Sequence, residues 1–232
     1  MTEAKNSFNK WLKTSECQTI TSDDVQCNRL IELLGVQPVG TYLDLATDTG
    51  YVGFKIAEQF PSCSVVGLDI ADKVIIENLK KIKEQYLSNI DFKSFGGIKF
   101  PDFKVIFDGV ICRYAFHHFP KVDVTLEEIK KVLKNDGRVV ISDAIRDDND
   151  KEDFINKIQE LNKDGHVRIY TKNEMISLFE KHNFTETGSF ESKITFSYEL
   201  LPQYESLLDA ISLESKENYS VVVDDNKVTL TF

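Results

Sequence analysis

The chain has 232 residues, 41% of them hydrophobic, and a formal net charge of -10. Its length suits one α/β domain with an appendage, and its apolar content is enough for a large core, which excludes global disorder. The acidic balance argues against a general nucleic-acid binder, which would present a basic face.

In chain order, the N-terminal stretch "MTEAKNSFNKWLK" has no long apolar core and does not read as a signal peptide. No run reaches the ~18 apolar residues of a membrane span. The expectation is a soluble, cytoplasmic protein with no membrane partner. Residues 1–34 read as an N-terminal helical cap, 35–145 as a core, and 146–232 as C-terminal helices and last strands on the substrate side. "TYLDLA" (41–46), "SVVGLDI" (64–70), "NIDFKS" (89–94), "VIFDGVICRY" (105–114) and "RVVISDAI" (138–145) read as strands. Between them "VGFKIAEQF", "DKVIIENLKKIKEQYL" and "VDVTLEEIKKVLK" repeat apolar residues at helical spacing, the last stopping at Gly137. This alternation predicts βαβ units and a parallel sheet.

Beyond residue 146 the pattern changes. "DDNDKEDFINKIQELNK" is charged, then helical. A further helix in "HVRIYTKNEMISLFEKHNF" has Thr171 placed as N-cap with Glu174 three residues later, a capping box. "ETGSFESKITF" reads as a strand returning to the sheet, 198–218 as a helix, and "YSVVVDDNKVTLTF" as two short strands around a "DDNK" turn. Cys17, Cys27, Cys63 and Cys112 form no C-x-x-C pair and read as reduced structural thiols; no metal site is expected.

In a doubly wound sheet, ligands bind outside the carboxyl ends of the strands where strand order reverses. The residues there are Asp44 to Gly50, Asp69, Ser94 to Gly97, Cys112 to His118, and Asp143 onward. Asp69, ending an apolar strand, is suited to accept both hydroxyls of a ribose. Asp44 lies at a strand–loop junction, where a buried carboxylate needs partners such as loop amides.

"YLDLATDTGYVGFKIAEQF" resembles motif I of class I S-adenosylmethionine-dependent methyltransferases, and "VVGLDI" resembles their ribose-binding strand end. "FDGVICRYAFHHF", "EEIKKVLKNDGRVVISD" and "GHVRIYTKNEMISLFEKHNF" are similar to the ubiquinone/menaquinone-biosynthesis-like branch, so the resemblance covers roughly residues 24–198. It implies a Rossmann-like, doubly wound α/β fold with seven strands in the order 3-2-1-4-5-7-6, the last antiparallel. It implies methyl transfer from S-adenosylmethionine to a small-molecule acceptor, leaving S-adenosylhomocysteine. The implied cofactor site comprises Asp44, Leu45, Ala46, Thr47, Asp48 and Gly50 along the methionine part, Asp69 and Ile70 at the ribose, Phe95, Gly96 and Gly97 near the adenine, and Cys112, Arg113 and Tyr114 toward the reacting centre.

Two positions depart from that pattern. Asp48 stands where glycine normally lets the backbone approach the cofactor, and its carboxylate would face the cofactor's own. Gly96 stands where an acid normally accepts from the adenine amino group. These departures support a second reading, an inactive methyltransferase-fold binding or partner protein. A nicotinamide-dependent oxidoreductase is a third, disfavoured because "TDTG" lacks the G-x-G-x-x-G turn that cradles a pyrophosphate.

On the substrate side, His117 and His118 are the candidate catalytic residues, one of them to deprotonate or orient an acceptor. Phe116, His166, Arg168 and Tyr170 are candidate substrate contacts, with Arg168 suited to a charged acceptor. Phe8, Trp11, Phe116, Phe119, Phe196 and Tyr198 are candidates for an aromatic lid. A homodimer is compatible with the chain, and the acceptor atom stays open.

Overall fold

The computed structural model describes residues 22–150, 152–161, 164–193, 195–199, 206–207, 220–224 and 227–231. It divides into two compact units between Asp143 and Ala144.

In the first unit, the first helix among the described residues is α1 (Asp24–Leu34). The Asp23 side chain accepts from the Gln26 amide, and Gly35 ends the helix in the left-handed region at φ 67. Five strands follow: β1 (Thr41–Leu45), β2 (Ser64–Asp69), β3 (Ile90–Ser94), β4 (Phe107–Arg113) and β5 (Leu133–Ser142). Between them lie α2 (Tyr51–Gln59), α3 (Asp72–Gln85) and α4 (Val122–Val132). All strand pairs are parallel, in the order β3-β2-β1-β4-β5. Helices α2 and α3 pack on the β1–β3 half, α1 and α4 on the β4–β5 half. Leu43, Leu45, Leu68, Val110 and Ile111 are fully buried, as the near-continuous apolar strand segments require. Gly67 and Gly109 leave room within the strands: a Cβ on Gly67 would lie 2.3 Å from the Phe92 ring, and one on Gly109 would lie 2.7 Å from Leu34.

The second unit holds α5 (Phe154–Leu161), α6 (Lys172–Lys181) and strands β6 (Thr195–Glu199), β7 (Ser220–Asp224) and β8 (Lys227–Thr231). Asp150, itself buried, accepts from the amides of Phe154 and Ile155 and so starts α5. The expected capping box is present at α6: Thr171 accepts from the Glu174 amide while the Glu174 side chain accepts from the Thr171 amide.

Four expectations are corrected. The seven-stranded sheet with an antiparallel last strand is instead a five-stranded, all-parallel sheet and a separate three-stranded antiparallel sheet, ordered β6-β8-β7. The tail strands β7 and β8 are two residues apart in the chain, so pairing with each other costs little loop entropy, and β6 pairs with the other edge of β8. Second, α4 ends at Val132 rather than at Gly137. β5 begins at once, and its register jumps from Phe107↔Leu133 to Gly109↔Arg138, so "KNDG" forms a bulge. Third, "ETGSFESKITF" becomes a strand only from Thr195. Fourth, Tyr198 and Glu199, assigned to a helix over 198–218, belong to β6; most of that segment lies outside the described residues, as do Phe8, Trp11 and Cys17.

Candidate active site

Strand order reverses at β1, which has β2 on one side and β4 on the other, so the loops after these strands gather at one carboxyl edge. The loop from Ala46 to Gly50 is turned by three left-handed residues, Ala46 at φ 56, Asp48 at φ 46 and Gly50 at φ 78. Two of the three are not glycine, and each costs about 1–2 kcal/mol of backbone strain, less for aspartate than for alanine.

The surrounding bonds explain how the loop keeps that shape. Asp44 Oδ2 accepts from Thr47 Oγ1 at 2.6 Å and from the Gly53 amide at 2.9 Å, tying the end of β1 to the loop and the first turn of α2. Asp69 Oδ2 accepts from the Asp48 amide at 3.0 Å, and its Oδ1 from the Ala71 amide at 2.9 Å. From α3, Asn78 Nδ2 donates to the Asp48 carbonyl at 2.7 Å and Lys81 Nζ to the Thr49 carbonyl at 3.0 Å. Sequence reasoning missed Asn78 and Lys81, because helical spacing alone does not say what a polar face meets.

The acids are electrostatically uneasy. Burial pushes the Asp44 carboxyl up to about 7, against the lowering effect of its Thr47 and Gly53 bonds. Burial, then the nearby Asp69 charge, pushes Asp48 up to about 6.

The expected adenine segment follows β3. The Phe95 amide donates to the Asp69 carbonyl at 3.0 Å, and Phe95 meets Phe100 edge-on at 5.8 Å. A Cβ on Gly96 would meet nothing within 4 Å, so the backbone there borders open space; Gly97 takes φ 78.

At the end of β4, Arg113 is buried; its Nε donates to Gln26 Oε1 at 2.8 Å, and its guanidinium lies 4.5 Å from the Tyr114 ring centroid and 5.5 Å from that of Tyr51. Tyr51 OH in turn donates to Asp24 Oδ1. Gln26, Tyr51 and Asp24 gave no functional signal in the sequence, and their role follows from where α1 packs. Leu45 and Cys112 are completely buried, so among the expected cofactor residues these two present no exposed surface to a ligand. Ile70 is half-buried beside Ala71, and Tyr114 adopts φ 54.

Phe116, expected to touch substrate, is completely buried and packs edge-on against Phe119 at 5.9 Å; it is a core residue because the short 3-10 turn Phe116–His118 folds its ring inward. His117 faces Asp143, with Nδ1 2.7 Å from Oδ1, while the His117 amide donates to Oδ2 at 2.7 Å. The His117 and His118 ring centroids are 4.0 Å apart.

The remaining candidates lie in the second unit. His166 Nε2 meets Asn156 Oδ1 at 2.9 Å. Arg168 donates to Glu174 Oε1 at 2.6 Å and covers the Tyr170 ring at 5.6 Å, and Arg146 shares the same carboxylate oxygen at 2.8 Å. Two guanidinium groups on one carboxylate oxygen thus meet at the start of α6.

The first unit fits a ligand that joins an amino acid to a nucleoside. Asp69 lies at the carboxyl end of β2, the backbone at Gly96 borders open space, and loop 46–50 brings backbone groups to the strand switch. Asp48 is the poorly matched element, as a second carboxylate beside Asp69.

The family model described as "Methyltransferase domain" matches residues 38–194. The uncharacterized methyltransferase YcgJ of Bacillus subtilis is 28% identical over 140 residues, covering 59% of this chain and 54% of its own length. A demethylmenaquinone methyltransferase of Lactococcus lactis is 36% identical over 99 residues, 42% of this chain and 39% of that protein. The matches thus span about half the length of these curated relatives, or less. The crystal structure of the B. subtilis YcgJ protein superposes with a TM-score of 0.73 at 19% identity, covering 89% of this chain and 97% of that one, a likeness of fold.

Proposed function

This chain belongs to the methyltransferase domain family, and from that premise we propose that it transfers a methyl group from S-adenosylmethionine to a small-molecule acceptor. The observation that carries the proposal is the junction of Asp69 with loop 46–50: an acid suited to ribose hydroxyls is bonded to the loop suited to the methionine part. In this reading Asp69 accepts from the ribose, the amides of loop 46–50 lie along the amino acid, Phe95 to Gly97 border the adenine, and Arg113 and Tyr114 close the methionine end. The bound cofactor supplies an electrophilic methyl on a sulfonium, so the protein's own task is to align an acceptor and exclude water. Relatives named as methyltransferases support the active reading over that of an inactive binding protein.

Isothermal titration of the full chain with S-adenosylmethionine, S-adenosylhomocysteine and NAD tests the proposal. Micromolar binding of the first two and none of the third is expected. No binding of either sulfur compound would sink it. Tritium transfer from labelled cofactor into a panel of small acceptors then tests catalysis.

A further inference from the structure

We propose that His117 and Asp143 form a catalytic dyad, in which His117 Nε2 is the general base for a phenol- or enol-type hydroxyl acceptor and Asp143 is the positioning residue that sets its tautomer; this rests on the methyltransferase reading above. The two residues are 26 positions apart and come together only because β4 and β5 are neighbours, Arg113 pairing with Ser142 one residue before Asp143.

Asp143 grips His117 at two points, accepting from its amide through Oδ2 and contacting Nδ1 through Oδ1, both at 2.7 Å. The Asp143 side chain is 2% exposed and the His117 side chain 18%. An ionised carboxylate only accepts, so Nδ1 must carry the proton, and the lone pair of the neutral ring then sits on Nε2. The amide bond fixes the His117 backbone against the same carboxylate, which holds Oδ1 where Nδ1 of the ring meets it. Among the described residues, the titratable groups at the dyad are Asp143 from the end of β5 and His118 at a centroid distance of 4.0 Å; the Cys112 thiol at the end of β4 is pushed upward by burial first and by the Asp143 charge second. The dyad follows β4 at the carboxyl edge, the edge that carries loop 46–50.

The chemistry selects the acceptor. An imidazole, about 6.5 as a free side chain, is a base suited to a phenol or enol near 10 and badly matched to an alkyl alcohol. As the acceptor attacks, its O–H bond breaks, the proton goes to Nε2, and the freed electron pair forms the new bond to the methyl carbon. The electron pair of the broken sulfur–methyl bond stays on sulfur, which becomes a neutral thioether. The imidazolium, paired with Asp143, then loses its proton to water.

Three measurements on the full chain test this. Nitrogen-15 NMR titration of His117 without ligands should show the Nδ1–H tautomer, a titration midpoint that falls when Asp143 becomes Asn, and loss of the tautomer preference; an unchanged midpoint and tautomer would overturn the dyad. Second, methylation of phenol should fall at least about 100-fold in His117→Gln, while 4-nitrophenol, already ionised at pH 8, should be nearly unaffected. Equal losses on both phenols would make His117 structural, and no methylation of either by the parent would overturn the acceptor class. Third, Asp143→Asn should shift the acidic limb of the pH–rate profile in step with the NMR midpoint, and an unshifted limb counts against it. Titration with S-adenosylhomocysteine separates the two proposals: failure to bind refutes the methyltransferase reading, whereas normal binding with an unchanged His117 titration refutes only the dyad.

Discussion

Asp69 Oδ2 accepts the Asp48 amide at 3.0 Å, so the acid that closes β2 is bonded directly to the loop that closes β1. Its other oxygen holds the Ala71 amide at the entry to α3. One carboxylate therefore ties loop 46–50 to the entry of α3. Asp69→Ala should weaken S-adenosylhomocysteine binding by roughly ten-fold or more, through charge-assisted bonds worth about 1.5–3 kcal/mol. The same change should lower unfolding free energy, because the buried Ala71 amide and the part-buried Asp48 amide lose their acceptor. Titration and urea unfolding of the same variant check both; reduced stability with an unchanged dissociation constant would mean that the ribose is held elsewhere.

Asp48 is expected to act as a brake on cofactor binding. At φ 46 it carries strain that glycine would relieve, and its carboxyl lies beside Asp69. Asp48→Gly should tighten binding by about ten-fold, or about 1.4 kcal/mol. Asp48→Asn isolates the charge: a gain with Asn shows repulsion, a gain with Gly alone shows backbone relief. Since the carboxyl is pushed up to about 6, binding by the parent should tighten as pH falls from 7.5 to 5, and the Asn variant should lack that rise. Weaker binding by both variants would identify Asp48 as a favourable contact.

Asp44 gives the fold itself a pH dependence. Burial pushes its carboxyl up to about 7 in the folded chain, against about 3.9 for a free aspartate. Between those values the folded chain holds a proton that the unfolded chain releases. The contribution to stability is therefore complete at the acidic end and is lost as pH rises toward and through 7, at about 1.4 kcal/mol per unit. Asp44→Asn keeps an acceptor for the Gly53 amide and removes the titration, so its stability should change less between pH 5 and 8. Parallel urea-unfolding curves for parent and variant across that range would refute this.

In the second unit, the reciprocal Thr171–Glu174 bonds start α6. Thr171→Ala should cost about 1 kcal/mol, and Thr171→Ser should recover most of it. Amide exchange within 172–181 reads the effect locally, and unchanged exchange rates in the Ala variant would show that the cap is dispensable.

Much of the first unit was legible because local rules carry it. The five apolar runs became β1 to β5, and the intervening patterns became α2, α3 and α4 within a few residues. The limits show at "LKNDG", where a helix-stopping glycine was read and the chain instead enters a bulged strand, because pairing of Leu133 with Phe107 outweighs local turn preference. Phe116 shows the same limit in the site: a residue beside two histidines was expected at the ligand, and its ring went into the core.

The sequence by itself determined the order of strands and helices, the carboxyl-edge position of Asp44, Asp69 and loop 46–50, and the capping box at Thr171, since each depends on residues near one another in the chain or on the general rule for ligand position in a doubly wound sheet. Only the tertiary structure decided that Asp69 holds Asp48, that Gln26 holds Arg113, that Asp143 holds His117, and that the tail strands form their own sheet. Those pairings join residues 21, 87 and 26 positions apart. Periodicity and spacing carry no signal for them, because they exist only once parallel strands bring distant loops to one edge.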